Sequence, residues 1–472
     1  MRKRKNKEGT IVPALLVISG AFLTVIYGLL ILLSLQFDFS QRQLASEQAL
    51  NIAEAGVNYY RWHLAHEPDD YQDGTGLPGP YSHEYVDPES GAVGTYELEI
   101  IPPQDGSSVV TIRSTGWAEN FPSVQRSIEA QYGLESFARF AFLSNASTWY
   151  GSGITLYGDV HSNNGIRQDG INYGLVTSAQ ETYMCGTETG CFPPTSQPGV
   201  WGSGSDQNLW EFPVPALDFD GVSFDFAQMK DSAISEGLYF DKTNEPGYHL
   251  VFVDDGTVNI YEVTDVGYIY GYRVPGEGLG QEGIGGCRRR YQVIDDETYL
   301  GNYSVEDTAI IFLEDDIWIE GEVSGRTTVV AAGFPLSSST NNVWVRGNIT
   351  YVNEAGVDSL GLIAQNDIIF VRDVPNDFRI DAALMAQKGQ IIRHGYDVGG
   401  NCSSSFNAVR DSLTINGALI SFNKSYWNFT IGGNLVSGFT TRTINYDGNL
   451  LFMPPPYFPT SGEYQFLNWQ EL

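Results

Sequence analysis

Six histidines, four cysteines and 57 acidic residues supply most of the chemistry open to this 472-residue chain. His161, in DVHSNNG, has the side chain of a general base or metal ligand. No second histidine lies near it in sequence, and beside Asn163–Gly165 it reads as a turn residue. Acidic clusters fall at Asp295–Glu297 and Glu314–Asp316. Paired carboxylates bind calcium or do acid–base work on glycosidic bonds, as in β-helix lyases and hydrolases. In LEDDIWIEGE, however, alternate residues face outward along a strand, so part of that charge is simply solvated. A lyase also needs a positioned lysine or arginine base. Lysine is scarce, and the one basic cluster, Arg288–Arg290, lies in a Gly-rich loop without a motif around it.

Other reactive patterns fail on their own terms. GEGLGQEGIGG lacks the GK[ST] ending and the strand–loop–helix context of a phosphate loop. No Gly-x-Ser-x-Gly elbow is present. The sequons at Asn348–Thr350 and Asn428–Thr430 read as chance in a β-rich chain. Tyr457, Phe458, Tyr464, Phe466 and Trp469 would suit a sugar-stacking surface, but capping an open sheet end is the preferred reading. No catalytic residue, cofactor site or metal site is assigned, and the chain is read as non-enzymatic.

The cysteines are Cys185, Cys191, Cys287 and Cys402. An even count in an oxidising compartment points to disulfides. Cys185 and Cys191 bracket the tight turn GTETG, which leaves Cys287 and Cys402 as a long-range staple. Zinc spacing, with C-x-x-C or paired histidines, is not found.

The elements that would position these residues begin with an anchor. Gly9 to Phe37 holds no charged residue and is long enough to span a bilayer with some tilt. Arg2, Lys3, Arg4, Lys5 and Lys7 precede it, and the next basic residue is Arg42. This asymmetry predicts a single-pass protein with its N-terminus in the cytoplasm and its bulk outside. The apolar run is too long for a signal peptide, and no A-x-A follows it. The helix is predicted to continue to about His66. Ala45, Ala49, Ile52, Ala53, Gly56 and Tyr60 form a small-residue stripe, with Glu47, Glu54 and Arg61 on the opposite side. Residues 68–94 read as a linker or long loop. Strands in TYELEII, SVVTIRST and SVQRSIEAQYG then make a short antiparallel sheet to lie on the stripe.

The basic tip, the glycine, the apolar helix and QALNIAEAGVNYYRWHL together resemble the N-terminal region of PilX-type minor pilins, and of the large pseudopilins of type II secretion. Ala53–Gly56 is the most telling element. The resemblance implies prepilin-peptidase cleavage after Gly9, leaving Thr10 as the mature N-terminus. The family's usual fifth-position glutamate is absent, Ala14 standing there. It further implies a role in type IV pilus assembly or adhesion, with the membrane and other pilins as partners, and a glycan or another surface as a further one.

Beyond Phe140 short strands recur, and LIAQNDIIF from Leu362 is echoed by LMAQKGQII from Leu384. TVVAAG at Thr328 and GALISF at Gly417 fit the same slot. Repetition at about one coil length suggests a parallel β-helix, a large β-sandwich being the rival. With YGDVHSNNGIR, the helix in FPVPALDFDGVSFDFAQMK, the AQ slots and the ending INYDGNLLFMPPPYFPTSGEYQFLNWQEL, the stretch from Phe140 to Leu472 also resembles the outer domains of large PilX-like surface proteins, which implies the same β-helix. The predicted fold is mostly β with a long N-terminal α-helix. Its parts are a cytoplasmic tip (1–8), a transmembrane helix (9–37), a pilin-like α+β unit (38–133) and a β-helix domain (134–472) with an insertion at about 195–300. Within that insertion a short helix ending at Gly237 and a hairpin turning at Asp255–Gly256 are expected. A net charge of −31 excludes nucleic acid as a partner. A membrane-tethered polysaccharide lyase or hydrolase and a structural envelope protein stand as alternative functions.

Overall fold

The computed structural model describes residues 11–87, 91–103, 107–217, 219, 225–274, 286–306 and 308–472. Two compact units share the chain. One is built from Met1–Pro103, Val109–Gly133 and Tyr464–Leu472, the other from Gln104–Ser108 and Leu134–Glu463. The chain is mostly β with one long N-terminal helix, as its sequence predicts. The basic tip and the Gly9–Thr10 junction lie outside the described residues.

In the first unit, α1 runs unbroken over Ile11–His66, 56 residues and about 84 Å of rod. Pro13 sits in its first turn, where no intrahelical N–H partner is lost. Every residue from 11 to 44 is exposed, and this half is long and apolar enough to cross a membrane. Strands β1 (Tyr81–Asp87), β2 (Gly91–Ile101), β3 (Val109–Ala118) and β4 (Gln125–Ser136) form an antiparallel sheet in that order. The C-terminal strand, Thr460–Glu471, adds beyond β4.

Two expectations are corrected. The stretch read as a loop over 68–94 contains β1, because Tyr81, His83 and Tyr85 alternate along a strand that pairs with β2, Tyr81 opposite Leu98. The aromatic C-terminus does not cap the second unit throughout. Tyr464 donates its hydroxyl to the Pro68 carbonyl at 3.0 Å, and Phe466 meets Tyr132 edge-on at 5.7 Å, both within the first unit. Phe458 alone of the two preceding aromatics is buried, in a core of the second unit.

The second unit is dominated by parallel pairs between short strands far apart in sequence. Register aligns Leu238, Ile311, Val329, Leu362, Leu384 and Leu419 in one column. The same column continues through Phe142, Val160, Val176 and Trp210. The two halves are filled in different order. The chain enters at Phe142, advances to Trp210, jumps to the far end at Leu238, and returns rung by rung to Leu419, beside its entry. Each inward Leu, Ile or Val thus meets its like above and below, which is why the AQ segments echo one another: Leu362 pairs with Leu384 and Ala364 with Ala386.

The neighbouring column, Phe312, Val330, Ile363, Met385, Ile420 and Leu143, is also apolar and faces the other way. It is covered by α2 (Asp225–Glu236) through Phe226, Met229 and Ala233, with Leu450 and Phe458. The helix ends before Gly237, as predicted. The segment at about 195–300 is therefore more than a decoration, since it supplies the rungs at Trp210 and Leu238 and the covering helix. It also carries an antiparallel portion. Gly247–Val253 turns through Gly256 into Thr257–Arg273, which pairs along its length with Gly286–Ser304. Gly247–Val253 in turn runs parallel to Asp316–Val323, joining both kinds of pairing in one mixed sheet.

Candidate functional site

The packed half of α1 is the most constrained surface in the first unit. Ala45, Ala49, Ile52, Ala53, Gly56, Val57, Tyr60 and Leu64 are buried, at helical spacing, while Glu47, Glu54 and Arg61 are exposed. The predicted stripe and its polar back are both present. Opposite it, β3 alternates Val110, Ile112, Ser114, Gly116 and Ala118 inward. A Cβ on Gly116 would strike the backbone of Ala49 and Ala53, and one on Gly56 would meet Ser114 and the Tyr96 ring. Small residues on both elements therefore let helix and strand approach main chain to main chain. Just past the helix, the Tyr60 hydroxyl donates to the Asp70 carbonyl at 2.8 Å. Burial opposes charge on Asp70, but N–H donors from Gln72 and Gly74 and the His63 ring hold its carboxyl below the usual range.

In the second unit the sequence-predicted candidates do not converge. His161 is a strand residue, not a turn residue, because it continues the column of Leu143 and is paired with it and with Thr177. It is buried, with Nδ1 2.9 Å from Thr177 Oγ1, Nε2 3.1 Å from Asn163 Oδ1 and the ring against Phe140. Burial first, and Arg139 as well, depress its pKa despite the Asn163 contact, so it stays neutral.

The three carboxylates of Glu314–Asp316 enter three separate networks. Glu314 pairs with Lys230 and accepts from the Tyr239 hydroxyl. Asp315 accepts from the amide and hydroxyl of Thr243. Asp316 accepts from the Asn342 amide at 2.8 Å and from Trp344 Nε1 at 3.3 Å, and burial pushes its pKa up to about 6. In the other cluster Asp295 and Asp296 are exposed, while Glu297 holds His249 Nδ1 at 2.8 Å. His249 Nε2 lies 3.4 Å from Glu320, which Arg346 Nε meets at 3.2 Å. The close approach of His249, working against burial and joined by Arg346, lowers the Glu320 pKa. This chain of four charged or polar groups was not visible in the sequence, because its members come from four strands.

Arg288–Arg290 is corrected from loop to strand. Arg288 opposes Gly271, Arg289 stacks over the Tyr268 ring at 4.4 Å, and Arg290 donates to the Gly271 carbonyl. Most of the adjacent Gly-rich stretch, residues 275–285, lies outside the described residues. Both disulfides join the predicted cysteines, Cys185 with Cys191 and Cys287 with Cys402, at Cα separations of 5.6 and 5.8 Å. Among the described residues no group of three or more metal-ligating side chains is assembled.

No known protein-family model matches the chain, and no curated protein matches it. Among solved structures, the competence-associated pilin ComZ from Thermus thermophilus is similar over 91% of this chain and 97% of its own, at 14% identity and a TM-score of 0.30.

Proposed function

We propose that this chain is a non-enzymatic, membrane-anchored surface protein of minor-pilin type, acting in pilus assembly or adhesion. The observation that carries the reading is the division of α1. Its first half is charge-free to Phe37 and exposed throughout, while its second half is buried along one stripe against an antiparallel sheet. A soluble domain has no use for an apolar rod in water, so that half belongs in lipid or among other helices. The five basic residues before Gly9 favour a cytoplasmic N-terminus. The AEAG element supports a pilin-like head, since Ala53 and Gly56 are the residues that allow the close helix–sheet approach. We further infer that the second unit is a parallel β-helix displayed outward. Its support is the ten-rung column from Leu238 to Trp210. The partners are the membrane and other pilins.

The test is mass spectrometry of the native N-terminus, together with fractionation of sheared cells. Thr10 is the expected first residue of material released from the surface. Intact Met1 in every fraction removes the pilin assignment and leaves a simple anchor. Recovery in the soluble cytoplasmic fraction removes both.

A further inference from the structure

Arg442 occupies a position that the fold otherwise gives to apolar side chains. Its strand, Asn434–Tyr446, runs parallel to Val409–Ser421 on one side and to Ile154–Tyr157 on the other. Register sets Arg442 between Leu413 and Ile154, both buried. Two residues further on, Ile444 lies between Ile415 and Leu156, all of them buried. Residues two apart on a strand share a face, so Arg442 stands in an inward column. It is partly buried, and none of its nitrogens makes a hydrogen bond or ion pair with the described residues. Nε is sealed from solvent, while the two Nη groups still reach it. A Cβ on Gly153 would come within 3.4 Å of Nη2, so at that point a glycine leaves the fork uncovered.

Other arginines of this unit show what is missing. Arg273 pairs with Asp367, and Arg379 with Asp381. Arg393 has no carboxylate, but it donates to the carbonyls of Ala408, Arg372 and Asn407. Burial lowers the Arg442 pKa, and no acidic side chain offsets it. A charge stripped of water and left without a partner costs stability. An unpaired fork that solvent can still reach therefore points to an anion from outside. With Nε occluded, only the end-on approach to Nη1 and Nη2 is open, which suits the two oxygens of a planar carboxylate. The net charge of −31 repels polyanions, so the ligand is a small group with one negative charge.

We propose that Arg442 is the receptor for a single carboxylate, which its two Nη groups hold end-on beside Gly153. The site goes beyond the membrane reading above and does not rest on it. Binding is measured on purified protein, so its failure and that of the anchor are separate results.

The experiment uses the full chain in detergent micelles and saturation-transfer NMR with acetate, glucuronate and, as the uncharged counterpart, methyl glucoside. Both carboxylates are expected to bind with a dissociation constant on the order of 1 mM, the strength of one charge-assisted pair, and to displace each other. Tighter binding of glucuronate assigns the carboxylate to an acidic sugar, and equal binding assigns it to any small acid. Arg442→Met should weaken both about tenfold or more. Because it removes an uncompensated charge, it should not lower the melting temperature. Arg61→Met, at an exposed arginine of the first unit, should leave binding unaltered. Absence of binding by both carboxylates, equal binding of methyl glucoside, or equal binding by Arg442→Met overturns the proposal. So does weaker binding by Arg61→Met, which would mean that surface arginines bind acids indiscriminately. A lower melting temperature for Arg442→Met overturns it too, by showing that the fold already satisfies the guanidinium.

Discussion

Gly116 of β3 lies directly against the backbone of Ala53 in α1, so close that a Cβ on the glycine would collide with the helix main chain. The contact ties the surface helix to the central strand of its sheet without any side chain between them. Gly116→Val is therefore expected to destabilise the first unit by about 1–3 kcal/mol, the usual cost of overpacking. Gly20→Ala and Gly28→Ala, where nothing lies within 4 Å, should leave that unit unchanged. Hydrogen-exchange protection of β3 in denaturant reads the difference. Equal protection in all three variants would mean that the helix is not held by this approach.

The column of inward residues makes a prediction of a different kind. Leu384 is fully buried, with Leu362 on one side and Leu419 on the other. Leu384→Ala opens a cavity that neither neighbouring rung can fill, at an expected cost of about 2–5 kcal/mol. Leu384→Met nearly conserves volume and should cost less than about 1.5 kcal/mol. Chemical denaturation of the two variants checks the ranking, and similar losses for both would show that the column is loosely packed.

What could be read from the sequence follows from how local each signal is. The stripe from Ala45 to Tyr60 is written every three or four residues along one helix, so its buried face was legible without a partner in view. The pairing of Leu362 with Leu384 was legible because neighbouring parallel strands repeat the same residue types in register. The jump from Trp210 to Leu238 was not, since strands that pair at opposite ends of the parallel column look alike in sequence. His161 misled because its neighbours Asn163 and Gly165 are turn formers, while its own position was decided by Leu143 and Thr177 from other strands. The inward turn of Gln292 depends on a bulge, and no local pattern announces one there.

The two disulfides close loops of very different length, 6 residues for Cys185–Cys191 and 115 for Cys287–Cys402. Restricting the unfolded chain is worth more for the longer loop. Replacing Cys287 and Cys402 by serine should lower stability by about 2–5 kcal/mol, and replacing Cys185 and Cys191 by clearly less. Guanidinium unfolding of the two double variants decides it. The reverse order would mean that the short clip holds strained local structure, such as the left-handed Gly190 beside Cys191.

Asp316 makes stability depend on pH with a sign opposite to that of a paired surface carboxylate. Burial raises its pKa to about 6, so the folded state keeps a proton that the unfolded chain gives up near pH 4. Protons bound are then greater in the folded state across that window, and stability falls as pH rises through it. Above about pH 6 the full cost is present, on the order of 3 kcal/mol. Asp316→Asn removes the titration. It keeps an acceptor for the Asn342 amide but turns an N–H toward Trp344 Nε1, which adds a pH-independent penalty. The offset between variant and parent is therefore less informative than its slope. Unfolding free energies measured from pH 4 to pH 7 should show the variant gaining on the parent as pH rises, by about 2 kcal/mol over that window. Parallel curves for the two proteins would show that Asp316 is ionised throughout, and that the donors from Asn342 and Trp344 outweigh its burial.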